Sequence, residues 1–268
     1  MISVREAARR LEAAGVASPM YDARELLRHA EVSDLDPEQL VAARSSRVPL
    51  QHLVGSAGFR YLDLAVGPGV FIPRPETELL VDAVLRAIAG TAHTAHAAQP
   101  RVVDLCAGSG AIGLSVAKEH PHARVDLVEA SPLAVAWLRK NAAGQPRVTV
   151  HHADLADAPT DAEAMIDVVV SNPPYVPIDE RDLVEPEVRD HDPAEALWAG
   201  VDGLDVIRRV VDRARVLLRP GGSVVVEHSE RQHESVPELL VAAGFGDVVD
   251  HRDLTGRFRF TTAVRPAQ

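Results

Sequence analysis

Four consecutive residues, Asn172-Pro173-Pro174-Tyr175, combine types that can hold a planar nitrogen. An amide or aromatic amine nitrogen has a delocalised lone pair and attacks carbon poorly. A site for it needs two acceptors in a fixed fork, one for each N–H. The Asn172 side-chain oxygen and the Pro173 carbonyl can supply them. The two prolines fix φ and remove two donors, so the loop is stiff and its carbonyls stay available. Tyr175 adds a flat face on which a planar group can stack. Held this way, the nitrogen faces one place where an electrophilic methyl could sit, and such positioning is worth about 7–11 kcal/mol of barrier. A proline-rich turn without chemistry would read the same in isolation. The apolar run Val168–Ser171 directly ahead places it at a strand's carboxyl end, where open α/β sheets bind ligands.

A second group of residues points to the other reactant. Asp104-Leu105-Cys106-Ala107-Gly108-Ser109-Gly110-Ala111-Ile112-Gly113 follows an apolar run and opens a helical one. A glycine-rich strand-to-helix turn lets a ligand approach bare backbone, with helix N-terminal amides aimed at it. Gly108, Gly110 and Gly113 match G-x-G-x-x-G, a weak signal alone. Glu129 closes the next strand, 19 residues after Gly110, where a carboxylate can accept from both hydroxyls of a ribose. Asp154-Leu155 ends a third strand and sets a polar group beside an apolar one, which suits an adenine. Together these imply an adenosine-type ligand. They do not choose between NAD and S-adenosylmethionine.

Those residues need an alternating α/β frame. Apolar runs at Val102–Leu105, Val125–Val128, Val148–His151, Val168–Val170 and Val224–Val226 are separated by helical stretches or loops. Helices are expected at Ala111–His120, Pro132–Ala143, Leu204–Leu218 and Ser235–Ala243. Continuous β-branched runs predict strands buried on both faces, hence a parallel sheet covered by helices. Asp247–Asp253 and Arg257–Val264 alternate and predict an antiparallel pair at the sheet edge. Upstream, Ser3-Val4-Arg5-Glu6 reads as a capping box, and Ser18-Pro19 and Asp36-Pro37 as two further helix starts. Phe59–Val66 and Gly69–Ile72, parted by Gly67-Pro68, predict a hairpin. Glu76–Ala89 returns to helical spacing, and residues 90–100 predict a surface loop.

The order Asp104-x-x-x-Gly108-x-Gly110, Glu129, Asp154 and Asn172-Pro-Pro-Tyr175 resembles class I S-adenosylmethionine-dependent methyltransferases acting on planar nitrogens. With Gly69-Val-Phe-Ile-Pro-Arg-Pro-Glu-Thr-Glu78 and the helical start, the whole chain resembles the protein-(glutamine-N5) methyltransferase family that modifies peptide chain release factors. The resemblance implies a Rossmann-like seven-stranded sheet over 76–268, a helical substrate-recruiting domain over 1–54 and a β-hairpin linker over 55–75. It implies S-adenosylmethionine as cofactor, leaving as S-adenosylhomocysteine, no metal, and the glutamine of a Gly-Gly-Gln tripeptide as substrate. Cys106, Ala107, Gly108, Ser109 and Gly110 would wrap the methionine part, Glu129 the ribose, and Asp154 and Leu155 the adenine edge. Asn172 would serve cofactor and substrate, Pro173, Pro174 and Tyr175 the glutamine, and Phe71 and Thr77 the pocket wall. Two positions depart from the family pattern: Cys106 replaces its usual first glycine, and Leu155 a common aromatic. A cysteine avoids positive φ, so the turn is expected to begin in an ordinary region.

Composition narrows the remaining choices. Acids outnumber bases 39 to 28, giving a net charge of −11, which disfavours a dedicated duplex-DNA binder. A single cysteine forbids an internal disulfide and fits a reducing cytosol. The charged start lacks a signal-peptide pattern and no apolar run is long enough to span a bilayer, so a cytoplasmic protein is expected. His93, His96, His120, His122, His151 and His152 are expected to be solvated, His228 has no assigned role, and Arg208, Arg209, Arg213, Arg215 and Arg219 read as a solvated helix face. The rivals are an adenine amino-group methyltransferase acting on nucleic acid, an NAD-dependent dehydrogenase that leaves Asn172–Tyr175 idle, and a non-catalytic protein-binding module.

Overall fold

The computed structural model describes residues 2–90 and 99–267. Most of the expected 90–100 loop, with His93 and His96, lies outside the described residues. The chain opens with α1 (Val4–Ala13), α2 (Pro19–Ser33), α3 (Pro37–Ser45) and a short α4 (Leu50–Val54) that the sequence does not signal. The Ser3 hydroxyl accepts from the Glu6 N–H at 3.2 Å, the first half of the capping box. The Glu6 carboxylate turns to Arg9 and Arg10. Asp36 caps α3 through the Glu38 N–H, whereas Ser18 makes no side-chain cap. Ala7, Leu11, Ala23, Leu26 and Val41 form the core of this module.

The hairpin is real but shifted. Ser56–Phe59 (β1) pairs antiparallel with Leu62–Ala65 (β2), so its turn is Arg60-Tyr61 and not Gly67-Pro68. Arg60 takes φ +48°, which glycine would accept more readily. Tertiary contacts hold it there. Its guanidinium is bidentate to Glu119 at 2.6 and 2.7 Å and meets Asp82 at 2.8 Å, while its N–H donates to Glu78. Gly69–Ile72 forms no strand. Val70 and Ile72 are buried beside Ala134 and Trp137 instead. Gly67 and Gly69 allow that approach, since a Cβ would lie 2.4 Å from Trp137 and 2.7 Å from Leu133.

A 3-10 turn (Pro75–Thr77) leads into α5 (Glu78–Gly90). The main sheet then alternates as expected: β3 (Arg101–Leu105), α6 (Ala111–Glu119), β4 (Arg124–Glu129), α7 (Pro132–Asn141), β5 (Val148–His152) and β6 (Ile166–Ser171). After a connection containing the short α8 (Pro186–His191) come α9 (Asp205–Leu217), β7 (Leu218–Glu227), α10 (Ser235–Ala242), β8 (Gly246–Arg252) and β9 (Phe258–Val264). The spatial order is β5-β4-β3-β6-β7-β9-β8. The first five strands of that order run parallel, and β9 pairs antiparallel with both β7 and β8. The sheet is thus the seven-stranded α/β frame expected, with its edge pair. Every residue of β6 is buried, which explains its uninterrupted apolar run. The order in which strands are added reverses between β3 and β6, so a crevice opens at their carboxyl ends.

Two ion-pair groups tie the helical module and its linker to this frame. Buried Arg44 donates to Asp22 at 2.7 Å and to Glu187 of α8 at 2.9 Å, and Arg47 grips both Glu187 oxygens. Arg74 pairs with Asp192 just past α8 at 2.8 Å. The arginines of α9 lie on its solvated face as expected, with Arg208, Arg209 and Arg215 exposed and Arg213 half-buried, and each of them also has a partner. Arg208 meets Asp202, Arg209 meets Asp154, and Arg213 and Arg215 donate to the Pro159 and Ala243 carbonyls. Arg219 lies in β7, not the helix, and pairs with buried Asp167. His151 is half-buried and meets Asp126 at 2.8 Å, and His228 is buried against Thr261 and Asp250. Among the described residues, no helix is long and apolar enough to cross a membrane.

Candidate active site

The crevice at the carboxyl ends of β3, β4, β5 and β6 contains a cavity of about 340 Å³, within the range of small-ligand sites. Phe71, Thr77, Cys106–Ser109, Glu129, Asp154, Leu155 and Asn172–Tyr175 all line it. Gly110, the remaining expected site residue, sits just beneath as the N-cap of α6.

The glycine turn is built from backbone demands. Gly108 has φ +56° and a Cβ there would meet nothing within 4 Å, so its bare side is open. Gly110 has φ +86° and presses on Leu138 and Leu114. Gly113 lets α6 approach the sheet, for a Cβ would stand 2.2 Å from Leu127. The Gly113 N–H donates to buried Asp104 at 2.9 Å. Burial pushes the Asp104 carboxyl up to about 7, and its other oxygen has no partner. Cys106 overturns the expectation of ordinary φ: it sits at +62°. That left-handed bend lets the next two amides reach β4, Ala107 to the Val128 carbonyl and Gly108 to the Glu129 carboxylate. The bend is the one a glycine would accept without strain, and the chain builds it with cysteine. Burial pushes the Cys106 thiol up to about 12, so it is no thiolate nucleophile at neutral pH.

Glu129 is locked from two sides. Oε2 accepts from the Gly108 N–H and Oε1 from the Ser131 N–H, both at 2.8 Å. Each carboxylate oxygen keeps a second lone pair for a ligand hydroxyl. Ser131, the N-cap residue of α7, makes no side-chain cap, and its hydroxyl donates to Glu195 at 3.1 Å instead. Asp154 carries an ion pair with Arg209 and accepts from the Ala156 N–H, and the Arg209 bond holds its carboxyl below the usual range. Leu155 beside it is buried and apolar.

At the end of β6, the Ser171 hydroxyl donates to the Leu105 carbonyl at 2.7 Å and pins the next loop against the glycine turn. Asn172 Nδ2 donates to Thr77 Oγ1 at 3.2 Å. That leaves the Asn172 oxygen for the cavity. Among the described residues nothing donates to the Pro173 carbonyl. Tyr175 is anchored at both ends: its hydroxyl donates to Glu227 at 3.3 Å and its carbonyl accepts from Gln232 at 3.2 Å.

Comparison with known proteins places this arrangement. The methyltransferase small domain model matches residues 75–185. The release factor glutamine methyltransferase of Streptomyces coelicolor is 46% identical over 277 residues, covering 98% of this chain and 97% of that protein. The chain belongs to the release factor glutamine methyltransferase family. The Mycolicibacterium smegmatis member is also 46% identical, over 285 residues covering 99% and 98%. At the level of fold alone, the chain is similar to the hMettl16 catalytic domain solved with an RNA hairpin. The TM-score is 0.60 at 14% identity, covering 85% of this chain and 81% of that one. As a member of the family the protein is a methyltransferase, which removes the dehydrogenase and the non-catalytic readings.

Several residues at the site escaped sequence reasoning. Arg209 and Glu195 line the cavity from elements distant in sequence, and only the fold brings them there. Arg74 lies within the Gly69–Glu78 segment and also lines the cavity, its guanidinium 5.0 Å from the Phe71 ring. Glu227 was accessible to the rule that singles out Glu129, being a carboxylate at the carboxyl end of a strand.

Proposed function

We propose that this methyltransferase modifies the side-chain amide nitrogen of the glutamine in the Gly-Gly-Gln motif of peptide chain release factors, using S-adenosylmethionine. The observation that carries the reading is the Asn172–Thr77 hydrogen bond. It turns the asparagine oxygen toward the cavity, beside a Pro173 carbonyl with no other donor. Two acceptors in a rigid loop match the two N–H groups of a primary amide. The residues also fit the cofactor. Glu129 offers unused lone pairs to ribose hydroxyls, Leu155 an apolar wall to a purine, and Gly108 an open backbone to the methionine part.

When bound, S-adenosylmethionine would supply an electrophilic methyl group on a sulfonium cation. The chain's part is positioning, and for well-oriented groups that is worth about 7–11 kcal/mol. Asn172 and Pro173 would fix the plane of the substrate amide, and Tyr175, held by Glu227, would flank it. The helical module over 1–54 is suited to docking the protein substrate, for Met20, Tyr21, Val32 and Leu35 lie exposed on and just after α2. We assign 55–75 as the linker and 76–268 as the catalytic unit, working in the cytoplasm without a metal.

The test uses a labelled methyl donor with intact release factor, and the labelled residue is located by mass spectrometry. Label on the Gly-Gly-Gln glutamine is expected. Asn172→Ala should abolish transfer, more than 1000-fold, while retaining its melting temperature and S-adenosylhomocysteine affinity within a few-fold. Wild-type transfer by that variant, or label on adenine in added nucleic acid, would overturn the assignment.

A further inference from the structure

Arg101, Arg124 and Arg147 each stand directly ahead of a valine that begins a strand run, at equal intervals along the chain. In the sheet this interval becomes a ladder. Arg101 opens β3 and is in register with Arg124, which opens β4. Arg147 precedes Val148, the partner of Val125, and its carbonyl accepts from the Val125 N–H at 2.9 Å. Three arginines therefore lie side by side, about 4.8 Å from one strand to the next, and residues in register share a face of the sheet. All three line one cavity of about 590 Å³ at the amino ends of β3, β4 and β5. The methyl-transfer crevice lies at the opposite ends of the same strands, roughly 15 Å away.

Like charges in direct register cost stability unless something neutralises them. Only Arg101 meets a carboxylate, and that one is shared. Asp126 Oδ2 lies 3.8 Å from Arg101, and Asp126 Oδ1 is bonded to His151 at 2.8 Å. Among the described residues, Arg124 and Arg147 form no ion pair and no side-chain hydrogen bond, and both are exposed. Asp161, the other acid of the lining, is exposed and pairs with neither. In a chain of net charge −11, two unpaired guanidinium groups and a third half-committed one are thus gathered in a single concavity.

We propose that this cavity is an anion site for a compact ligand carrying two or more phosphate groups, gripped by Arg124 and Arg147 with Arg101 and Thr149 beside them. A guanidinium fork matches phosphate oxygens two at a time, and a phosphate brings more charge and more acceptors than a carboxylate. Adjacent forks suit adjacent phosphates. A nucleic-acid strand would need the positive surface to continue, whereas the ladder spans about 10 Å on an acidic chain. The described lining holds no Phe, Tyr or Trp on which a base could stack, so the phosphates themselves are what is recognised. The site is independent of which substrate is methylated.

The experiment titrates inorganic tripolyphosphate into the full-length protein by calorimetry, at about 0.15 M salt, with the methyl-transfer crevice filled by S-adenosylhomocysteine. Binding at one site per chain is expected. Arg124→Gln and Arg147→Gln should each weaken it by about fivefold or more. Their melting temperatures should equal or exceed wild type, since each substitution relieves repulsion within the ladder. Arg5→Gln, in the helical module, should leave the affinity unchanged. ATP and GTP settle the source of the phosphates: affinities no tighter than that of tripolyphosphate assign the site to free polyphosphate, and a tighter one assigns it to a nucleotide. Absence of binding at about 1 mM tripolyphosphate would overturn the inference. So would equal affinity in wild type and the two arginine variants, citrate binding as tightly as tripolyphosphate, or a single-stranded oligonucleotide displacing it. Binding that appears only when S-adenosylhomocysteine is left out would place the anion in the crevice and overturn it as well.

Discussion

Replacing Glu129 by glutamine changes one atom's chemistry and should be felt twice. In the folded protein its two oxygens accept from the Gly108 and Ser131 N–H groups, each at 2.8 Å. Glutamine keeps one oxygen, so in either orientation its NH2 points at a main-chain N–H. One charge-assisted hydrogen bond is lost, worth about 1.5–3 kcal/mol. The Gly108 or Ser131 amide is left opposite another donor, which loosens the turn or the start of α7. Binding loses a second term, because one of the two acceptors offered to the ribose has become a donor. At about 1.4 kcal/mol per tenfold, a further 1.5–3 kcal/mol is roughly a 10- to 150-fold weaker complex. Titration calorimetry with S-adenosylhomocysteine measures that loss, and urea unfolding of the free protein measures the first. NADH in the same cell should give no heat with either protein. Affinity of Glu129→Gln for S-adenosylhomocysteine within threefold of wild type would refute the ribose assignment, whatever happened to stability.

Other expectations concern how the site is supported. Cys106 at φ +62° predicts that Cys106→Val loses about 2 kcal/mol or more, a β-branched residue being poorly tolerated there, while Cys106→Gly stays within about 1 kcal/mol of wild type. Chemical denaturation midpoints check both, and equal losses would show that the bend is unimportant. Asp104, raised by burial to about 7 against 3.8 in the unfolded chain, holds a proton when folded that the unfolded chain has released. Its contribution to stability therefore falls as pH rises from about 4 to 7, on the order of 2–4 kcal/mol. Asp104→Asn keeps an acceptor for Gly113 and should flatten that fall when unfolding is followed from pH 4 to 8; an identical slope would show the shift is not there. Glu187→Ala strands Arg44 and Arg47 without their shared carboxylate and should lower stability by about 2–4 kcal/mol in thermal unfolding. An unchanged melting curve would mean that the clasp between module and α8 adds nothing.

The parts of this molecule legible in the sequence are those written in local chemistry. Strand runs buried on both faces, glycines that must bend or let a helix close in, and two prolines behind an asparagine each state their own requirement, and the structure meets it at Gly113, Gly110 and Asn172. What stayed hidden is chemistry supplied from far away in the chain. Arg60 turns a hairpin with no turn residue because Glu119, Asp82 and Glu78 hold it. Cys106 adopts a glycine's backbone angle because β4 offers the Val128 carbonyl and the Glu129 carboxylate to the next two amides. The arginines of α9 form the exposed stripe their spacing suggests, but the pairing of Arg209 with Asp154 comes from another element and is not in that spacing. The same distinction divides the site itself. The acceptor atoms can be named from four letters, Asn-Pro-Pro-Tyr, but the direction in which Asn172 faces is not in those letters. It depends on Thr77, 95 residues earlier and in another element. A motif therefore specifies which groups can act, and the surrounding hydrogen-bond order specifies whether they are pointed so that they do.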